Sequence, residues 1–254
     1  MLVLIPPSEG KAPGGSGAPR RSAGQGSAGE QSAGEQSAGE GAFAELSSHR
    51  AELIARIDPG IDDLPTMAAI ARYTGVLATA MSYPTLDGWQ RRRADVSLVI
   101  LSGLWGALEP TDPIPDYKLP IGTVVPGLGG LASWWRPRLS PLIDARAQGE
   151  VVWDLLPTAH AAAWDDSAMT YRARWRVRVL REAHDGSRTT VSHDNKSTKG
   201  HLARHLIVAR PGSPRQLADL VLPGGYRVDT GNAEWSRRGG VVEIVQSWPG
   251  EQRA

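Results

Sequence analysis

Three stretches of the chain gather hydroxyls, carboxylates and ammonium groups at spacings that could do chemistry. The first is Pro6-Pro7-Ser8-Glu9-Gly10-Lys11. A lysine beside a glycine after an apolar run invites comparison with a phosphate loop. That loop needs Gly-x4-Gly-Lys-Ser/Thr running into a helix, whereas Pro13 and a glycine-rich tract follow here. Ser8, Glu9 and Lys11 are therefore read as polar groups of a cleft, with an exposed turn as the alternative. The second stretch, Ile100 to Gly122, carries Ser102, Asp112, Asp116, Tyr117 and Lys118 among Pro110, Pro113, Pro115 and Pro120. Four prolines exclude a helix or an inner strand, so residues 111 to 122 should form an ordered, irregular loop that lines a cleft or makes a packed crossover. The third is Asn195-Lys196-Ser197-Thr198-Lys199-Gly200, ahead of an amphipathic run with Leu202, Leu206 and Ile207. Two ammonium groups at a helix start, where amides are unpaired, would hold an anion; a solvated loop is the alternative. His201 and His205 are four apart but lack a visible third ligand, so neither a metal nor another cofactor is expected.

What the chain lacks narrows the chemistry further. It has no cysteine, which removes disulfides, thiolate metal sites, iron-sulfur clusters and thiol peroxidase chemistry. No nucleophile with its base, no triad and no metal set can be assigned, so a catalytic group is unknown. A formal net charge of +1 means that any nucleic-acid binding needs a local basic surface. Lys11, Lys118, Lys196 and Lys199 are the chain's lysines among 28 basic residues. No apolar run approaches ~20 residues, which gives no membrane span. The opening Met-Leu-Val-Leu-Ile-Pro-Pro reads as a first strand rather than a signal peptide, and a cytoplasmic protein is expected.

The elements that must position these groups alternate between strand and helix. Leu2 to Ile5 and Val96 to Leu101 are apolar strands, placing Ser8 and Ser102 just beyond carboxyl ends, where α/β proteins keep ligand-facing loops. Residues 14 to 41 repeat Ser-Ala-Gly-Glu-Gln with nothing large to bury, and segment 12–41 is expected to be a disordered insertion. Phe43 to Ile57, Leu64 to Arg72 and Thr85 to Ala94 carry helical spacing, the last with Leu86 and Trp89 inward and Arg91-Arg92-Arg93 at its end. Between two short helices, Arg72-Tyr73-Thr74-Gly75-Val76 has the order of a helix-hairpin-helix, whose glycine admits a DNA phosphate; an ordinary helix cap is the alternative. Leu131 to Arg146 is a helix containing Trp134 and Trp135, and Glu150 to Leu156 a strand entering another at Thr158. Tyr171 to Val179 alternates apolar residues with Arg172, Arg174, Arg176 and Arg178, a half-buried strand whose arginines either face phosphates or protect a sheet edge. The result is one α/β (mixed α+β) domain over residues 1–254, with a central mixed β-sheet flanked by helices.

Five motifs in order carry a resemblance: Leu4-Ile5-Pro6-Pro7-Ser8-Glu9-Gly10-Lys11, Arg72-Tyr73-Thr74-Gly75-Val76, Ser102-Gly103-Leu104-Trp105-Gly106-Ala107-Leu108 with Tyr117-Lys118-Leu119, Lys196-Ser197-Thr198-Lys199-Gly200-His201-Leu202-Ala203-Arg204, and Gly224-Gly225-Tyr226. Together they resemble the YaaA peroxide-stress family, over nearly the whole chain except residues 12–41. The resemblance implies a cytoplasmic α/β protein with a helix-hairpin-helix element that binds double-stranded DNA and is linked to lowering free iron under hydrogen peroxide stress. On this chain it points to Lys11, Arg72, Tyr73, Thr74, Gly75, Lys196, Lys199 and Arg204 as DNA or anion contacts. Ser8, Glu9, Ser102, Asp112, Tyr117 and Lys118 would line the same cleft. An enzyme acting on a nucleotide or other anionic small molecule in that cleft is the alternative, and direct iron storage is disfavoured because the six histidines are scattered.

Overall fold

The computed structural model describes residues 1–19, 43–190, 192–231 and 235–247. A nine-stranded sheet forms its centre, from β1 (Leu2–Ile5), β2 (Leu98–Ser102), β3 (Gly106–Leu108), β4 (Val151–Asp154), β5 (Ala173–Glu182), β6 (Arg188–Thr190), β7 (Val221–Leu222), β8 (Tyr226–Val228) and β9 (Gly239–Gln246). Among the described residues seven α-helices flank it: α1 (Ser47–Ile57), α2 (Ala69–Arg72), α3 (Val76–Met81), α4 (Gly88–Ser97), α5 (Leu131–Ala147), α6 (Thr158–Ala161) and α7 (Ser192–Ala209). The spatial order is β7-β8-β9-β5-β4-β1-β2-β3, with β6 pairing β5. Neighbours within β9-β5-β4-β1-β2 run parallel, and β3, β6, β7 and β8 attach antiparallel.

Strand β1 is buried throughout, as a short apolar run covered on both faces must be. From β1 the chain first builds outward to β2, then returns to the other side of β1 with β4. The sheet therefore reverses between β1 and β4, and the loops after their carboxyl ends flank a crevice at that switch point. In β5 the expected alternation is present, with Ala173, Trp175, Val177 and Val179 buried and Arg176 and Arg178 exposed. Because β5 lies between β4 and β9, edge protection does not account for its arginines.

Two sequence expectations change. Residues 64 to 72 do not form one helix: Met67–Ala68 pairs as a strand with Pro113–Ile114, leaving only Ala69–Arg72 helical. The proline-rich loop enforces this, because the Asp112 and Pro110 carbonyls accept from Ala69 N (2.8 Å) and Ile70 N (2.9 Å). In α4 the Asp87 side chain caps the start, which puts Arg91 to Arg93 mid-helix and leaves Trp89 exposed beneath Arg92 and Arg93. Of segment 12–41, residues 20–41 lie outside the described residues. The described part, 12–19, is mostly exposed but held by its backbone, with Gly17 and Thr66 exchanging hydrogen bonds of 2.9 and 3.2 Å. Among the described residues no helix is long and apolar enough to cross a membrane.

Candidate functional site

A cavity of about 580 Å³ opens at the switch point. The loop after β1 gives Ser8, Glu9 and Lys11; the α2–α3 unit gives Tyr73, Gly75 and Met81; the proline-rich loop gives Tyr117 and Lys118; α6 gives His160 and α7 gives Lys196. An open groove of about 740 Å³ adjoins it and shares Glu9, Lys11, Tyr117 and Lys118. Two of the three chemistry-bearing stretches thus meet at one opening, and the third reaches it through Lys196.

Three hydroxyls form a buried chain that runs from its wall into the core: Tyr73 Oη to Tyr117 Oη at 2.6 Å, and Tyr117 Oη to Ser102 Oγ at 2.7 Å. Burial pushes the Tyr117 phenol up to about 12 and raises Tyr73 well above its usual value. Both are therefore neutral hydrogen-bonding groups and not bases at physiological pH. The Lys11 ammonium lies 4.4 Å from the Tyr117 ring centroid, a cation–π distance, and makes long hydrogen bonds to the Ser8 (3.4 Å) and Glu9 (3.5 Å) carbonyls. Burial lowers its pKa, and Asp116 and Glu9 work against that. Ser8 Oγ and His160 Nδ1 are buried without a hydrogen-bond partner in the protein. Burial also pushes the His160 imidazole down to about 4, so it is neutral near pH 7. Lys118, Lys196 and Thr74 are exposed, as are Glu9 and Asp116.

Several expected contacts turn out to hold the scaffold instead. Arg72 is 0% exposed, with its guanidinium donating to the carbonyls of Ile114, Pro65 and Ala12, so it ties the proline-rich loop to the first loop and does not face a phosphate. Helix α7 begins at Ser192, ahead of the third stretch, so Lys196 and Lys199 lie inside it and not at its unpaired amides. Lys199 is 7% exposed, and its ammonium donates to the Leu155 carbonyl at 2.9 Å. Arg204 donates to the Met81 and Ser82 carbonyls (3.2 and 2.9 Å), satisfying the end of α3. Asp112 is buried in its own turn, accepting from Glu109 N at 2.8 Å, and Ser102 accepts from Leu104 N and Trp105 N at 3.2 Å; neither lines the cavity.

Gly75 has φ −76° and ψ 176°, which any residue adopts. Its lack of a side chain makes room for Ser8, whose Oγ and Cβ a Cβ there would overlap. The glycine thus closes α2–turn–α3 onto the first loop, and the geometry of a helix-hairpin-helix is not established by it. Sequence reasoning does not single out His160, which has no periodic partner; its only signal is its position just after β4, beyond Pro157. Arg50 also goes unread: its buried guanidinium donates to the Trp105 (3.0 Å) and Ala107 (2.8 Å) carbonyls.

The buried Lys199 has a measurable signature. Burial pushes its folded pKa down to about 8, below the ordinary 10.5, so between these values the unfolded chain binds more protons and stability rises with pH. The clean window is about pH 8 to 10, since above it the buried tyrosines, whose pKa values are raised, oppose the trend. Urea unfolding across that window should show a gain on the order of 2–3 kcal/mol that Lys199→Met abolishes. A flat profile in the parent would mean that the ammonium is solvated.

Sequence comparison with known proteins gives the family. Residues 1–231 match the family model described as peroxide stress protein YaaA. A UPF0246 protein of Streptomyces coelicolor is 37% identical over 255 residues, covering 94% of this chain and 95% of that protein. One from Corynebacterium efficiens is 33% identical over 265 residues, covering 90% of this chain and 95% of that protein. The chain belongs to the YaaA peroxide-stress protein family.

Proposed function

We propose that this chain acts in the cytoplasmic response to peroxide by binding double-stranded DNA without sequence preference, at the cavity mouth, and that any lowering of free iron follows indirectly. One observation carries the reading: Lys11, Lys118 and Lys196, three of the chain's four lysines, arrive from three separate segments at one opening. The exposed Thr74 turn between α2 and α3 stands beside them. Phosphates reward such clustering because each neutralised charge releases a counterion. Glu9 and Asp116 temper the field, so affinity should rest on a few contacts. The iron link is read as indirect because, among the described residues, no group of three or more His, Cys, Asp or Glu side chains is placed to hold a metal ion.

Fluorescence anisotropy against salt tests it. Each phosphate-neutralising lysine contributes about 0.9 to the slope of log affinity against log salt, so Lys118→Ala with Lys196→Ala should reduce the slope by about 1.8, equally for unrelated duplexes. Lys199→Ala should leave the slope unchanged because its ammonium is buried. An unchanged slope in a folded Lys118/Lys196 double variant would sink the proposal.

The enclosed cavity favours a second reading, an enzyme for a small anionic substrate. Its volume lies within the roughly 300–1,000 Å³ of small-molecule pockets, and it sits where open α/β sheets place ligands. Saturable binding of a mononucleotide without any duplex binding would favour it.

A further inference from the structure

We infer that the cavity receives a single base extruded from the bound duplex, with the strand's phosphates held in the adjoining groove. The inference rests on the DNA reading above and names what occupies the enclosed part of that site.

Shape comes first. A double helix cannot enter 580 Å³, but one nucleoside can, and the open groove that shares Lys11, Tyr117 and Lys118 provides a path for the backbone on either side. Charge is layered in the same sense. The exposed ammonium groups of Lys118 and Lys196 are at the mouth, whereas the enclosed wall is built from Ile5, Val76, Met81, Ile100 and Leu119 with the neutral tyrosines 73 and 117. A compact anion there would meet one half-buried ammonium, Lys11, among apolar surface and neutral phenols. A nucleotide fits, because its uncharged, flat base goes inward while its phosphate stays outside.

Polar complement is the third observation. Ser8 Oγ and His160 Nδ1, on opposite loops of the switch point, are buried and lack a protein partner. Buried polar atoms are nearly always paired, and a base edge offers the donors and acceptors to pair them. Enzymes and binders that handle a base individually must take it out of the stack, at a cost that a mismatch reduces.

A free mononucleotide presents the same chemistry, so the test has separate arms. The probe is a duplex with 2-aminopurine placed in a mismatch, whose fluorescence is quenched by stacking. The parent protein should raise that fluorescence severalfold and should bind the mismatched duplex about tenfold more tightly than the matched one. Ala78→Trp, from a small half-buried residue of the cavity wall on α3, should abolish both the rise and the mismatch preference while leaving affinity for the matched duplex within about threefold. Its circular dichroism establishes that it is folded, and Val76→Trp serves if it is not. Duplex binding with unchanged fluorescence and no mismatch preference overturns the extrusion and leaves the rim reading standing. Deoxyadenosine monophosphate binding that Ala78→Trp blocks, with no fluorescence rise on the duplex, overturns extrusion in favour of a free nucleotide. Absence of duplex binding overturns the rim reading, and extrusion with it.

Discussion

Asp154→Ala should destabilise the protein by about 3–5 kcal/mol, the range for removing one partner of a buried ion pair. Asp154 sits at the carboxyl end of β4, beside the switch point. Its Oδ2 accepts from Arg174 Nη2 at 2.6 Å and Nε at 3.2 Å, and its Oδ1 accepts from Leu156 N at 2.9 Å. Its negative charge also acts on the buried Lys199, against the effect of burial. Truncation leaves a guanidinium, an amide and an ammonium short of their partner in one place. Asp166 also pairs with Arg174, but it is 38% exposed, where the charge interaction is screened, so it should recover only a fraction. Differential scanning calorimetry should show a loss of roughly 10 °C for a chain of this size. A loss below about 1 kcal/mol would mean that Asp166 alone satisfies Arg174.

Gly200→Val should cost about 3 kcal/mol or more, through overpacking at the crossing of α3 and α7. A Cβ at Gly200 would overlap the Leu77 carbonyl oxygen and lie 2.7 Å from Ala80 Cβ. Replacing a helical glycine ordinarily gains up to about 1 kcal/mol of propensity, less for a β-branched residue, but the obstacle here is backbone and cannot rotate away. The contrast with Gly75 is instructive, because there the obstacle is the Ser8 hydroxyl and φ is unrestricted, so Gly75→Ala should cost less than about 1 kcal/mol. Urea midpoints of the two variants, compared in one series, check both. Equal losses would contradict the packing described at α3–α7.

The parts of this fold written in local pattern were legible, and those decided by distant partners were not. The alternation through Tyr171 to Val179 and the apolar runs at Leu2 and Leu98 specify strands by side-chain period alone. The four prolines after Glu109 mark the cleft loop just as directly. Register and exposure are another matter. Arginine and lysine are by default surface residues, so Arg72, Lys199 and Arg204 look like a basic cleft in the sequence. Each instead satisfies carbonyls where the chain ends a helix or turns, positions that only the tertiary fold reveals. The motif from Lys196 to Arg204 divides accordingly: Lys196 reaches the cavity, while Lys199, Gly200 and Arg204 fasten α7 to β4 and α3. The helical spacing from Leu64 to Arg72 was overridden because strand pairing at Met67–Ala68 claimed its first turn.

The central claim is that the cavity mouth, and not the arginine-bearing face of β5, is the DNA surface. Hydrogen–deuterium exchange of the full chain with and without a duplex of arbitrary sequence tests this most directly. Binding at the mouth should slow exchange at residues 73–75 and 116–122 and leave residues 174–180 unchanged. Slowed exchange confined to the face bearing Arg176 and Arg178, with the mouth unaffected, would contradict it.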